Sequence, residues 1–145
     1  MDLEELIPML QVAVGPVILI SGMGLLLLTM TNRLGRTIDR SRILVTLVKS
    51  GTPEERRNSQ AQIDILWHRA KLLRTAIFMA SISALLAALL VILIFISELT
   101  RLEIVWLIAI TFLSSMAAIM GSLVWFLRDI NVSLHALAIE TDREA

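Results

Sequence analysis

Residues 6–30 read LIPMLQVAVGPVILISGMGLLLLTM, 25 residues without a charge, and run directly into TNRLGRTIDRSR over residues 31–42. About 20 apolar residues in a helix span a ~30 Å hydrocarbon core, so the first stretch is long enough to cross a bilayer. Two more charge-free blocks follow, Ala76–Ile96 and Ile104–Leu127. Buried helices of soluble proteins are normally shorter and keep one polar face. Three such blocks in 145 residues leave almost no chain to cover them. The composition agrees: 57% of residues are hydrophobic and 18% charged, against about 25% charged in soluble domains. The chain therefore reads as a single membrane domain with transmembrane helices at about 6–30, 76–96 and 104–127. A cleavable signal peptide would need a basic start and a short apolar core. Asp2, Glu4, Glu5 and the length of the first block point instead to a retained helix.

Thirteen Lys and Arg balance thirteen Asp and Glu, but they are segregated along the chain. Ten basic residues lie in Thr31–Thr75, and Arg128 and Arg143 follow the third block. Only Arg101 lies in the connection Ser97–Glu103. Cytoplasmic loops carry the excess of Lys and Arg, so the N-terminus and the short second loop are expected outside. The central segment and the C-terminus are then cytoplasmic. Trp106 and Trp125, near the two ends of the third block, suit the membrane interfaces.

The central segment, about 31–75, reads as a helical hairpin. Leu34, Ile38, Val45 and Val48 recur at helical spacing, with Ile43, Leu44 and Leu47 widening that face. Ser50-Gly51 breaks the pattern. Thr52-Pro53-Glu54-Glu55 then supplies an N-cap, a proline at the first helical position and a glutamate at the third, a capping box. Beyond it Ile63, Trp67, Ala70, Arg74 and Ile77 form a stripe that leads into the second block. With no Gly or Pro in 54–97, one helix of ~40 residues, about 60 Å long, is predicted. Leu127, Ile130, Leu134 and Leu137 carry the third helix on as a cytoplasmic segment, about 128–141. The three extensions are expected to bury these stripes against one another in a small bundle. The fold class is thus an all-α integral membrane protein of three transmembrane helices with long cytoplasmic helical extensions.

Within the first block, Pro16 cannot donate to the Val12 carbonyl, so a kink or opened turn is expected near Gly15-Pro16. Small residues recur as Ala80, Ala84 and Ala88 in the second block and as Ser114, Ala118 and Ser122 in the third. Such ridges suit close contacts within or between protomers. Gln11, Ser21 and Asn32 fall within ~100° of one face of the first helix. Leu25 and Leu28 lie on or beside that face and suit a constriction that gates by dewetting. The candidate pore-facing or gating residues are therefore Gln11, Pro16, Ser21, Leu25, Leu28 and Asn32. Arg33, Arg36, Asp39 and Arg40 follow as the membrane helix ends, and suit contacts with headgroups or a cytoplasmic mouth. Asp39 can pair with Arg36, Arg40 or Arg42 on the same helix.

No ionisable residue lies inside the three blocks, which argues against a proton-coupled transporter or pump. The chain has no cysteine, Gly-rich phosphate loop, HExxH pattern or GxSxG elbow. His68 and His135 lack partners at ligand spacing. No catalytic residue, cofactor, metal or nucleic-acid partner is expected.

The Gly15–Leu28 run, followed by the N-R-x-x-R-x-x-D-R-x-R pattern of Asn32–Arg42, resembles a bacterial membrane family known as domain-of-unknown-function family two-seven-two-one. Arg69–Arg74 and Asp129–Leu134 are similar to its other recurring segments, more loosely. The resemblance implies a three-helix protein of the bacterial inner membrane with a cytoplasmic helical hairpin. It brings no reaction or ligand. The expected role is a non-enzymatic homo-oligomer in the lipid bilayer, with an ion-conducting pore lined by helix one. The alternative is a membrane-anchored scaffold or signalling adaptor that docks a cytoplasmic protein, near Arg56-Arg57 and Gln60-Gln62 at the hairpin tip.

Overall fold

The computed structural model describes residues 3–144, with the side chains of Glu5 and of 139–144 set aside; Asp2 and the side chain of Arg143 thus lie outside the described residues. Three helices account for nearly all of it: α1 Leu3–Ser50, α2 Pro53–Thr100 and α3 Val105–Glu144. Each is long and apolar enough to cross a membrane, and each runs on into its charged sequence without a break. Long runs of Leu, Ile, Ala and Met give the backbone little reason to leave the helix. α1 stays helical through Pro8 and Pro16, so the donor lost at Pro16 opens no break in the helix.

The α1–α2 turn is built as its sequence requires. The Gly51 amide donates to the Leu47 carbonyl at 2.8 Å. A Cβ on Gly51 would stand 2.7 Å from that same oxygen, so close backbone approach restricts the position to glycine. The Thr52 amide and hydroxyl donate to Glu55 Oε2 at 2.8 and 3.0 Å, and the Glu55 amide reaches back to Thr52 Oγ1 at 3.5 Å. This is the reciprocal capping box. The α2–α3 connection turns instead at Arg101, whose φ of 53° is left-handed, and Ser97 Oγ donates across it to the Leu102 carbonyl at 2.9 Å.

The helices contribute to two compact units. One takes α1 up to Leu28, α2 from Phe78 and α3 up to Gly121; the other takes α1 from Thr29, α2 up to Ile77 and α3 from Ser122. In the first unit the buried positions are Met9, Ala13 and Met23 on α1, Ala80, Ser83, Ala87 and Leu90 on α2, and Thr111 and Ser115 on α3. Ser83 Oγ donates to the Ser115 carbonyl at 2.7 Å, and Ser115 Oγ donates to the Ser83 carbonyl at 3.0 Å. Small side chains let α2 and α3 approach closely enough for this exchange. Met79 lies against Gly121, where an added Cβ would collide with it. The buried small ridge of α2 is therefore Ala80–Ser83–Ala87. Ala88 and Ser114, expected on close contacts, are exposed within the protomer.

In the second unit Met30, Thr37 and Leu44 are buried on α1, Ser59, Leu66, Leu72, Leu73 and Ala76 on α2, and Ser122 and Asp129 on α3. Ser122 Oγ donates to the Ala76 carbonyl at 2.7 Å. These positions correct the expected stripes. Ile38, Val45, Trp67, Leu127, Leu134 and Leu137 are exposed, Trp67 by 64%. Within this unit the buried seam advances by seven: 30, 37, 44 on α1; 59, 66, 73 on α2; 122, 129 on α3. A seven-residue step is the seam of packed helices, and here it takes in Thr37, Ser59 and Asp129 alongside Met30, Leu44, Leu66 and Leu73.

The Glu55 carboxyl is held below its ordinary value of 4.5 by the hydrogen bonds from the Thr52 amide and then the Thr52 hydroxyl. A lowered carboxyl stabilises the folded cap above 4.5, and that contribution is lost as pH falls through the lowered value. Hydrogen exchange at the Thr52–Arg56 amides should therefore accelerate, relative to Glu55→Gln, as pH falls through the lowered value, below 4.5. Equal protection in the two proteins down to pH 2 would refute the cap's charge dependence.

Candidate functional site

The seven-residue step of α3 that buries Ser122 also buries Asp129, whose side chain is 0% exposed. A carboxylate taken out of water alone costs several kcal/mol, so burial demands partners. Both come from other helices of the same unit. The Arg33 guanidinium of α1 donates to Oδ2 at 3.0 Å, and Arg69 Nε of α2 donates to Oδ1 at 3.1 Å. Those two side chains are themselves only 28% and 18% exposed. Arg33 also stands over the Phe126 ring at 5.4 Å, a cation–π contact. Its Nε is buried and makes no hydrogen bond among the described residues.

A cavity of about 220 Å³ opens beside this triad, lined by Arg33, Arg36, Thr37, Arg40, Leu66 and Arg69. Four arginines line it, two of which, Arg33 and Arg69, pair with Asp129 outside the lining. Among the described residues Arg36 and Arg40 make no ion pair. A second cavity of about 200 Å³ shares Arg40, Leu66 and Arg69 and adds an apolar wall that includes Ile65, Leu134 and Leu137. A third, larger hollow of about 540 Å³ is an apolar groove between α1 and α2 that includes Leu34, Ile38, Val45, Ile63 and Trp67. Its rim carries Lys71 and Arg74, with Lys71 Nζ 5.4 Å from the Trp67 ring.

The structure thus brings Arg33, Arg36 and Arg40 together at one cavity. Asp39 is exposed and does not line it. In the first unit Gln11, Ser21, Leu25 and Leu28 lie on the exposed side of α1, and Pro16 is half-buried; in the second, Asn32 is exposed. His68 and His135 are exposed, and no group of three metal-ligating side chains occurs among the described residues. Sequence reasoning did not single out Arg69 or Asp129 as site residues. A signal was available for Asp129: it is the only acidic residue between Glu103 and Glu140, and it lies seven residues beyond Ser122.

Comparison with known proteins adds one match. The family described as a protein of unknown function (DUF2721) matches over residues 13–139. No curated protein and no solved structure matches the chain.

Removing one member of a buried ion cluster leaves an uncompensated charge, at a cost of about 3–5 kcal/mol. Asp129→Ala strands two guanidinium groups, whereas Arg69→Met leaves the carboxylate paired with Arg33. Thermal unfolding in detergent should therefore show the larger loss for Asp129→Ala. Equal midpoints for Asp129→Ala and wild type would mean the triad holds nothing together.

Proposed function

The chain belongs to the DUF2721 family, and from that premise we propose a non-enzymatic, homo-oligomeric protein of the bacterial inner membrane whose copies meet through α1 and conduct ions along the axis between them. The supporting observation is the outward face of α1 in the first unit. Gln11, Gly15, Ile18, Gly22 and Leu25 follow alternating steps of four and three, which keeps them on one side of the helix. Met9, Ala13 and Met23 occupy the buried side. All five residues of the outward series are exposed, and a Cβ at Gly15 or Gly22 meets no atom within 4 Å. Steps of four and three with small residues are the pattern of a second helix-packing seam. Ordinary lipid contact would not need glycine there.

The orientation places the N-terminus outside and the Lys/Arg-rich part of the chain in the cytoplasm, following the distribution of twelve basic residues against one. The protomer's own core is filled by Met, Ala, Ser and Leu side chains, so an axial path belongs between copies. Leu25, 69% exposed, supplies the constriction on the outward face. Ser21 and Leu28 fall ~80–100° to one side of it. Arg33 is engaged with Asp129, which leaves Arg36 as the basic group at the cytoplasmic mouth and favours anions.

A second reading, the membrane-anchored scaffold, draws on the exposed apolar groove around Trp67. Its Lys71 and Arg74 rim suits an amphipathic helix with an acidic edge.

Light scattering of detergent-solubilised protein should give a multiple of the 16.1 kDa protomer. Gly22→Leu should give a protomer of unchanged helix content, because Gly22 is exposed and a Cβ there meets no atom within 4 Å. A wild type that is monomeric at every concentration would overturn the proposal and leave the scaffold standing. In reconstituted bilayers Leu25→Ser should raise conductance, and Arg36→Glu should shift the reversal potential toward cations. Silent bilayers for wild type and Leu25→Ser, with the oligomers confirmed, would remove the pore.

A further inference from the structure

Three arginines of α1, at positions 33, 36 and 40, fall on one face at steps of three and four. Across from them in the same unit stands Arg69 of α2, and all four line one cavity. Like charges at such spacings repel. Arg36 and Arg40 are exposed, as Arg42, Arg56 and Arg57 are, but unlike those three they line one hollow together with the half-buried Arg33 and Arg69. Asp129, which pairs with two of the four, is fully buried and lies outside the lining, so positive charge is concentrated at the hollow itself. Asp129 takes one donor from Arg33 and one from Arg69. Arg36, Arg40 and the buried Nε of Arg33 keep their donors unspent among the described residues.

We infer that this cavity binds phosphate, as the head of a phosphate ester with an apolar remainder. Guanidinium groups present paired N–H donors that match phosphate oxygens in a fork geometry. A water-sized group occupies ~30 Å³, so a cavity of about 220 Å³ holds a tetrahedral phosphate with a few waters. The neighbouring cavity shares Arg40 and Arg69 and is walled by Ile65, Leu134 and Leu137. It would take apolar atoms attached to the phosphate. Arg33 stands three residues beyond Met30, the last residue of the charge-free block, and Arg33 to Arg40 spans about 10 Å of helix. That puts the arginines within reach of headgroup phosphates, where basic pockets between helices bind anionic lipids. Anionic phospholipid and soluble phosphate share the same recognising chemistry. The site shares Arg36 with the proposed pore mouth, but lies within one protomer and does not require oligomerisation or conduction.

The test uses the whole protein in phosphatidylcholine nanodiscs, with phosphatidylglycerol added to the lipid in one arm and inorganic phosphate added to the buffer in the other. Binding is read as the rise in thermal midpoint and as retained lipid in native mass spectrometry. Saturable stabilisation by phosphatidylglycerol alone assigns the site to a lipid headgroup; saturable stabilisation by inorganic phosphate assigns it to a soluble phosphate ester. Arg36→Gln/Arg40→Gln should weaken the effect by about tenfold or more, since each lost charge-assisted bond is worth about that factor. These residues make no ion pair among the described residues, so circular dichroism should be unchanged. Arg36→Lys/Arg40→Lys, which keeps charge but not the fork, should fall between. Arg56→Gln/Arg57→Gln removes equal charge at the hairpin tip and should bind as wild type. No stabilisation in either arm, or equal loss in the Arg56/Arg57 variant, would overturn the site.

Discussion

One carboxylate, that of Asp129, touches both other helices of its unit, and the packing there is organised around it. Arg33 reaches it from α1 and Arg69 from α2, each to a separate oxygen. A buried ion cluster adds little net stability compared with a well-packed apolar core. What it adds is intolerance of error. A slide of one residue by any helix turns its partner about 100° away, leaving a charge buried and unpaired. Hydrophobic contacts between Leu and Ile would tolerate such a slide; this contact does not.

The two units are held by different physics. In the first, small residues and the Ser83–Ser115 exchange of hydroxyl and carbonyl bonds carry the contact. That suits a segment surrounded by lipid, where apolar side chains gain nothing by leaving one hydrocarbon for another. The second places charge and a few large side chains, Leu44, Leu66 and Leu73 among them, on its seam. Those contacts work where water is near and apolar burial is rewarded. The serines would hold poorly in water, and the ion cluster would be costly at the bilayer centre.

The helices and the first turn were legible in the sequence, because apolar length and a capping box are local signals. Thr52, Pro53 and Glu55 announce the start of α2 without help from any other helix. The packing register was not legible. Periodicity weights the largest apolar residues, and these drew the inward stripes through Trp67, Leu134 and Leu137, which are exposed. The buried positions include Thr37, Ser59 and Asp129; Asp129 is placed by partners on the two other helices. The arginines of α1 were readable as a cluster at the end of the apolar block. That Asp39 would stand apart from them, while Arg69 and Asp129 joined, depends on contacts separated by 60 and 96 residues. No local window contains such a pair.

The seven-residue seam of the second unit also bears on how the sequence can drift in length. A single residue inserted between Met30 and Thr37, or between Leu66 and Leu73, would rotate everything beyond it by about 100° and aim the wrong side chains inward. Seven residues added to one arm alone would keep the facing but leave the Gly51 turn with nothing opposite to receive it. Growth of the hairpin without loss of packing therefore requires matched heptads in both arms, inserted on the Gly51 side of Thr37 and Leu66 so that Arg33 and Arg69 still flank Asp129. Among related chains, arm length should be quantised, while the turn of Ser50, Gly51 and Thr52, fixed by the Gly51–Leu47 bond and the Thr52–Glu55 cap, should keep its length.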